Sequence, residues 1–163
     1  MKPILLQVIL IALNAIFASM EIAVLSMNEK RIEKLAEDGN TASKRLLKLT
    51  KNPARFLATI QVAITLSGFL GSAFAAESFA ARFGAWILSL GLPASEKTAE
   101  TIGVVGITLI LSYFTLVFGE LVPKRVAMKN AEKLAMTFSG LIAALSAVFA
   151  PIVWVLTVST NGI

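Results

Sequence analysis

The residue of this chain that most plainly carries chemistry is Glu120. It follows Gly119 and precedes Leu121-Val122-Pro123-Lys124, at the end of a long apolar run over residues 101–122. In a helix, Pro123 has no N–H to give the carbonyl four residues earlier. That carbonyl belongs to Gly119, which has no side chain to shield it. A carboxylate beside a freed carbonyl oxygen inside apolar sequence is costly, and an ionisable residue in such a place reads first as functional. A second reading puts Glu120 at the water boundary, with Pro123 simply ending the helix. Lys124 and Arg125 show that this boundary is near.

Other polar residues are spaced to share faces with it. At 100° per residue, Asn14, Glu21 and Asn28 fall on one side of a helix, and Ser19 and Ser26 on another. Glu21 can serve as an ion ligand or as a packing partner within the membrane. The Ser19 hydroxyl can equally bond its own backbone four residues back. Farther along, Gln61, Thr65, Gly68 and Ser72 form one stripe, with Ser67 and Gly71 off it. Thr108, Ser112, Thr115 and Gly119 form another that leads to Glu120. Such stripes suit a polar path or a close helix interface.

Composition narrows what these oxygens can hold. The 163 residues include no cysteine and no histidine. Disulfides are excluded, as are thiolate and imidazole metal sites and Ser-His-Asp or Cys-His catalysis within the chain. Any metal must be a hard cation on oxygen ligands, such as Mg²⁺ or Ca²⁺. No nucleophile–base set is apparent, so the chain is not expected to be an enzyme. Hydrophobic residues make up 56%, charged residues 15%, and mean hydropathy is +0.79. A soluble domain carries about 25% charged residues, so this is an integral membrane protein. The net charge of +5 comes in blocks without interleaved aromatics, which argues against nucleic acid and for a cytoplasmic membrane face.

The elements that must position Glu120 follow from the apolar runs. Residues 1–27 form a first span, too long and too interrupted for a signal peptide. Residues 28–52 hold juxtamembrane helices: two short amphipathic pieces broken at Asp38-Gly39-Asn40, lying on the membrane or forming a solvated hairpin. Asn52 caps and Pro53 starts the next helix. Residues 53–90 give a second span and a short outer helix in which Trp86 is an interfacial anchor. Gly91-Leu92-Pro93-Ala94-Ser95 is a loop. The third span covers 97–123, with a structural helix break at Pro123, followed by a basic juxtamembrane piece at 124–133. The two basic blocks place the amino terminus outside. Residues 134–160 are either a fourth span or, because Pro151 leaves two pieces too short to cross, a re-entrant pair of short helices. The sequence closes on Ser159-Thr160-Asn161-Gly162-Ile163, which reads as a cut before a further soluble domain.

Three stretches resemble the CorC and cyclin M (CNNM) family of magnesium transporters: Asn14-Ala15-Ile16-Phe17-Ala18-Ser19-Met20-Glu21-Ile22-Ala23, Asn52-Pro53-Ala54-Arg55-Phe56-Leu57-Ala58-Thr59-Ile60-Gln61-Val62, and Phe118-Gly119-Glu120-Leu121-Val122-Pro123-Lys124. The order is right and the motifs span most of the chain. The resemblance implies an all-α, homodimeric membrane domain of the cell membrane, with three transmembrane helices, juxtamembrane amphipathic helices and a re-entrant short-helix pair. Cytoplasmic CBS domains would follow it. It also implies a cytoplasm-facing site for dehydrated Mg²⁺. Ser19, Ser67, the Gly119 carbonyl and Glu120 are its ligands by position, with Asn14 and Glu21 next. Many relatives have Asn-Thr where this chain has Ile64-Thr65, so one ligand is not carried over. The function implied is Mg²⁺ export by alternating access, with possible Na⁺ coupling and with Pro123 and the span glycines as points of movement. The alternatives are a membrane anchor that senses Mg²⁺ and a proton-coupled carrier using Glu120.

Overall fold

The structure is a computed structural model that describes residues 2–91 and 95–161. Among these the chain is helical throughout, with no strand. In order it contains α1 (Lys2–Ser26), α2 (Glu29–Glu37), α3 (Thr41–Thr50), α4 (Pro53–Ser89), α5 (Glu96–Leu116), a π turn (Val117–Leu121), α6 (Val122–Lys129), α7 (Ala131–Val148) and α8 (Ala150–Asn161). Four stretches are long and apolar enough to cross a bilayer: Pro3–Ser26, Pro53–Ser89, Lys97–Lys129 and Ala131–Val148. The chain is thus an all-α, multi-pass membrane protein.

Short polar residues punctuate the helices. Asn28 and Asn40 cap α2 and α3, accepting from the N–H groups of Arg31 (3.2 Å) and Ser43 (2.9 Å). Asn28 therefore serves a helix start and does not continue the Asn14–Glu21 face. The expected break at Asp38-Gly39-Asn40 is present, and Gly39 takes φ +94°, a conformation that favours glycine. Asn52 caps α4 as expected, accepting from the Arg55 N–H at 3.2 Å, with Pro53 in the first turn. Ser95 caps α5 through a 3.2 Å bond from the Thr98 N–H. The rest of the expected loop, Leu92-Pro93-Ala94, lies outside the described residues.

Two expectations are revised. No break separates the second span from an outer short helix: α4 runs 37 residues unbroken. At about 1.5 Å per residue that is about 55 Å, well beyond a hydrocarbon core of about 30 Å. Its last turns, with Glu77, Arg82 and Trp86, must therefore leave the core. The span glycines, in turn, do not all stand at loose points. A Cβ on Gly103 would sit 2.4 Å from the Ala80 carbonyl oxygen, and one on Gly84 would sit 2.7 Å from that of Ala99. These glycines let α4 and α5 touch backbone to backbone, the contact small residues permit in membranes.

The main core gathers at the end where α1 meets α2, α3, α4 and α7. Met20, Ala23 and Val24 of α1 pack with Ile32, Leu46, Phe56, Ile60, Ala135 and Ile142, all buried. Arg31 of α2 pairs with Glu132 of α7 at 3.0 Å, and Ser43 of α3 reaches the Met136 sulfur at 3.9 Å. The amphipathic pair α2–α3 is thereby fastened to both α1 and α7. Most other large apolar side chains face outward, as they would toward lipid or another protein surface.

Candidate cation site

Gly119 and Glu120 lie in the π turn, where the Val122 N–H bonds the Val117 carbonyl five residues back. Pro123 sits in the first turn of α6. It was expected to break the helix, and that expectation is corrected. The chain stays helical through Pro123 to Lys129, and what changes is the hydrogen-bond ladder. A missing N–H and a ring that crowds the preceding turn are accommodated by widening one turn. π turns of this kind occur often at functional sites.

The carbonyl singled out in the sequence has a partner on another helix. Asn14 Nδ2 of α1 donates to the Gly119 oxygen at 3.3 Å. The approach is close: a Cβ on Gly119 would lie 3.2 Å from that nitrogen and 3.4 Å from the Ile11 carbonyl oxygen. The Asn14 side chain is nearly enclosed, and its other end, Oδ1, has no hydrogen-bond partner. An acceptor left buried without a partner is costly.

Two turns farther along α1, and one turn past Gly119–Glu120, two carboxylates share one cation. Lys124 Nζ lies 2.9 Å from Glu120 Oε1 and 2.9 Å from Glu21 Oε2. The first contact is a hydrogen bond. The second is an ion pair whose angle leaves Glu21 Oε2 without a hydrogen bond. All three side chains are partly buried, with 27% of Lys124, 18% of Glu21 and 33% of Glu120 exposed. Asn14, Glu21, Gly119 and Glu120 thus converge where α1 crosses the π turn. Lys124 was read in the sequence only as a marker of the interface. Its spacing of four from Glu120 was the available signal, because residues four apart on a helix face one another.

The two serines are not hydrogen-bonded to this cluster. Ser67 is buried on α4, Ser19 is half-buried on α1, and neither makes a side-chain hydrogen bond among the described residues. Thr65, beside the departure at Ile64, accepts from Gln61 Nε2 at 3.3 Å. No group of three or more acidic side chains gathers among the described residues. Charge for a cation can come from Glu21 and Glu120, and further ligation must come from neutral oxygens.

From Glu120 a cavity of about 510 Å³ opens between α1, α4 and α5. Asn14 and Glu120 line it, with Thr65 and Ser72 of α4 and Thr108, Ser112 and Thr115 of α5. The two hydroxyl stripes expected from sequence therefore face a common space. Gln7 of α1 also lines it, and sequence reading passed it over. The seven-residue step from Glu21 to Asn14, taken once more, arrives at Gln7.

Comparison with known proteins agrees with this architecture. The family model described as the cyclin M transmembrane N-terminal domain matches residues 5–163. A UPF0053 protein of Synechocystis sp. is 35% identical over 158 residues, covering 95% of this chain and 34% of that protein. The polyamine export protein of Haemophilus influenzae is 31% identical over 153 residues, covering 93% of this chain and 34% of the relative. The UPF0053 inner membrane protein YfjD of Escherichia coli is 29% identical over 149 residues, covering 91% and 31%. The chain thus spans about a third of the length of these relatives.

Proposed function

The chain belongs to the cyclin M transmembrane-domain family, and on that premise we propose that it is the transport domain of a Mg²⁺ exporter. The observation that carries the reading is the convergence of two carboxylates from different helices on one cationic position, next to a carbonyl that proline keeps out of the α-helical ladder. Mg²⁺ sheds water reluctantly and needs fixed oxygens in return. Glu21 and Glu120 supply charge, while the Gly119 carbonyl and the orphaned Asn14 Oδ1 supply neutral ligands. Ser19 and Ser67 complete the set with their hydroxyls, and a rocking of the helices around it would give alternating access. The ammonium of Lys124 holds the position that Mg²⁺ would take, so loading exchanges one cation for another.

In this reading the protein is a homodimer in the cell membrane, with its amino terminus outside and the cluster near the cytoplasmic face. The basic α2–α3 pair supports that orientation. Three spans are paired with a re-entrant α7–α8, since α8 has only 12 residues and is too short to cross. Cytoplasmic CBS domains are its partners in the longer chain, and it performs transport, not catalysis.

The test is flux into liposomes holding a Mg²⁺-sensitive dye. Wild type should transport, and Glu120→Ala and Ser67→Ala should lose flux while remaining folded. Full flux in both variants would remove the site assignment. A wild type that binds Mg²⁺ without flux would make the domain an anchor and sensor. Flux driven by a proton gradient and abolished by Glu120→Gln would point to a proton-coupled carrier.

A second reading has its own observation. The group lying between Glu21 and Glu120 is a primary ammonium on an alkyl chain, the same chemistry as the end of a polyamine. Relatives from Haemophilus influenzae and Salmonella typhimurium are named polyamine export proteins. In this reading an organic ammonium replaces that of Lys124 directly. Labelled spermidine transported by the same vesicles, with Mg²⁺ as a weak competitor, would favour it.

A further inference from the structure

Glu120 does not stand alone in its cavity. At the far end of that space, two helical turns or about 10 Å along α1 from Asn14, lies Gln7. Its side chain is almost fully enclosed, with 6% exposure, yet its amide oxygen has no hydrogen-bond partner. Asn14, with 3% exposure, repeats the pattern at the other end of the space. Two enclosed acceptors without donors, on the same face of one helix and on side chains that line one cavity, call for something to bond them. Water is the default occupant: the space is large enough to hold several molecules, and polar groups are set into its mostly apolar walls.

The lining of the cavity goes further than water needs. Around Gln7 the polar walls come from Ser72 of α4 and Thr108 and Ser112 of α5. All of these are oxygens that a cation can bind, and none is charged. Among the described residues, Glu120 is the only ionisable side chain that lines the cavity. We propose that the Gln7 end of the cavity is a second cation station, uncharged, which holds a partly hydrated cation after it leaves the carboxylates. The inference rests on the transport reading above. Its physical logic is release. A cation held by two carboxylates is bound too firmly to leave directly, and passage through a narrow path needs further sites that are favourable but weak. Neutral oxygens meet that need: they replace part of the hydration shell without holding the charge. Gln7 then sets the rate at which the cation moves on, with no part in how tightly it first binds.

Gln7→Met tests this, because it keeps the length of the side chain and removes the amide. An enclosed acceptor that bonds nothing is no loss to folding, so the variant should melt at or above the wild-type temperature. Its Mg²⁺ affinity, measured by calorimetry, should stay within about twofold of wild type, since Glu21 and Glu120 are untouched. Its Mg²⁺ flux in liposomes should fall by about tenfold or more, the scale of one lost ligand contact. Gln7→Glu should bind an additional Mg²⁺ per chain and also slow flux, by making the weak station a strong one. Should Gln7→Met fail to fold, the pair Ser72→Ala and Thr108→Val takes its place with the same expectation. Wild-type flux in Gln7→Met, or in that pair, would show that the station holds water only and would overturn the proposal. Absence of flux in the wild type would overturn the transport reading itself, and the station with it.

Discussion

At the residue scale, the question is what one ammonium does between two carboxylates. Lys124 offsets one of the two charges of Glu120 and Glu21, and without it two like charges on facing helices would repel. Breaking a buried pair by removing one partner costs about 3–5 kcal/mol. These side chains are partly exposed, so about 1–3 kcal/mol is the fitting scale here. Lys124→Met should therefore melt lower than wild type in chelator. The same change removes the competitor for the site, so Mg²⁺ should bind about ten- to a hundredfold more tightly and restore the lost stability on titration. Thermal unfolding across a Mg²⁺ series measures both effects. A variant that is destabilised and stays so at high Mg²⁺ would make Lys124 a structural counter-ion only. Glu120→Gln should act in the opposite sense: it weakens Mg²⁺ binding by about tenfold or more, while Lys124 keeps Glu21 as its partner.

At the element scale, the π turn and the α4–α5 crossing each depend on one backbone feature. Pro123 denies Gly119 its α-helical partner, which leaves that carbonyl directed to Asn14. Pro123→Ala returns an N–H to the chain. We expect a more regular and more stable helix, with Mg²⁺ affinity reduced several-fold in calorimetry because the Gly119 oxygen is drawn into the ladder. Unchanged affinity would remove that carbonyl from the ligand set. At the crossing, Gly103→Ala would drive a methyl to 2.4 Å from the Ala80 carbonyl oxygen. Backbone cannot yield as a flexible side chain can, so the helices must part, at about 1–3 kcal/mol. Gly68→Ala is the matched control: nothing lies within 4 Å of its added methyl. It should be neutral or stabilise by about 0.5–1 kcal/mol through helix preference alone. Melting temperatures of the two in one detergent separate packing from propensity. Not all of this could be read from sequence. The caps at Asn52 and Ser95, the break at Gly39 and the freed Gly119 carbonyl rest on local rules, and those rules operate within a few residues. The π turn has no local signature of its own, since the same residues can wind as α. The Glu21–Lys124 pair and the Gly103–Ala80 approach depend on how distant helices cross, which no periodicity in one segment reports. That Ser67, though buried, does not line the cavity has the same origin: it lies on a plausible face, but helix rotation decides which face meets which.

At the scale of the whole molecule, the open matter is how α7 and α8 sit relative to the bilayer. α7 has 18 residues, about 27 Å of helix, and α8 has 12, about 18 Å. The turn between them is at Phe149, with Pro151 just inside α8. If α7 crossed, α8 would start on the far side and could not return, so the chain would leave the membrane outside. If the pair is re-entrant, both ends lie on the cytoplasmic side. The packing fixes where α7 begins, which both arrangements share. α7 is pinned near its start to α2 and α3, through Arg31–Glu132 and Ser43–Met136, so it begins on the side of the basic α2–α3 pair. The chain contains no cysteine, so every cysteine introduced is a unique label. We expect Lys30→Cys and Ser159→Cys to react with a membrane-impermeant maleimide from the same side of sealed, oriented vesicles, and Ser89→Cys from the opposite side. Ser159→Cys reacting together with Ser89→Cys would make α7 a fourth span. That result would place residue 163 on the same side of the membrane as Ser89.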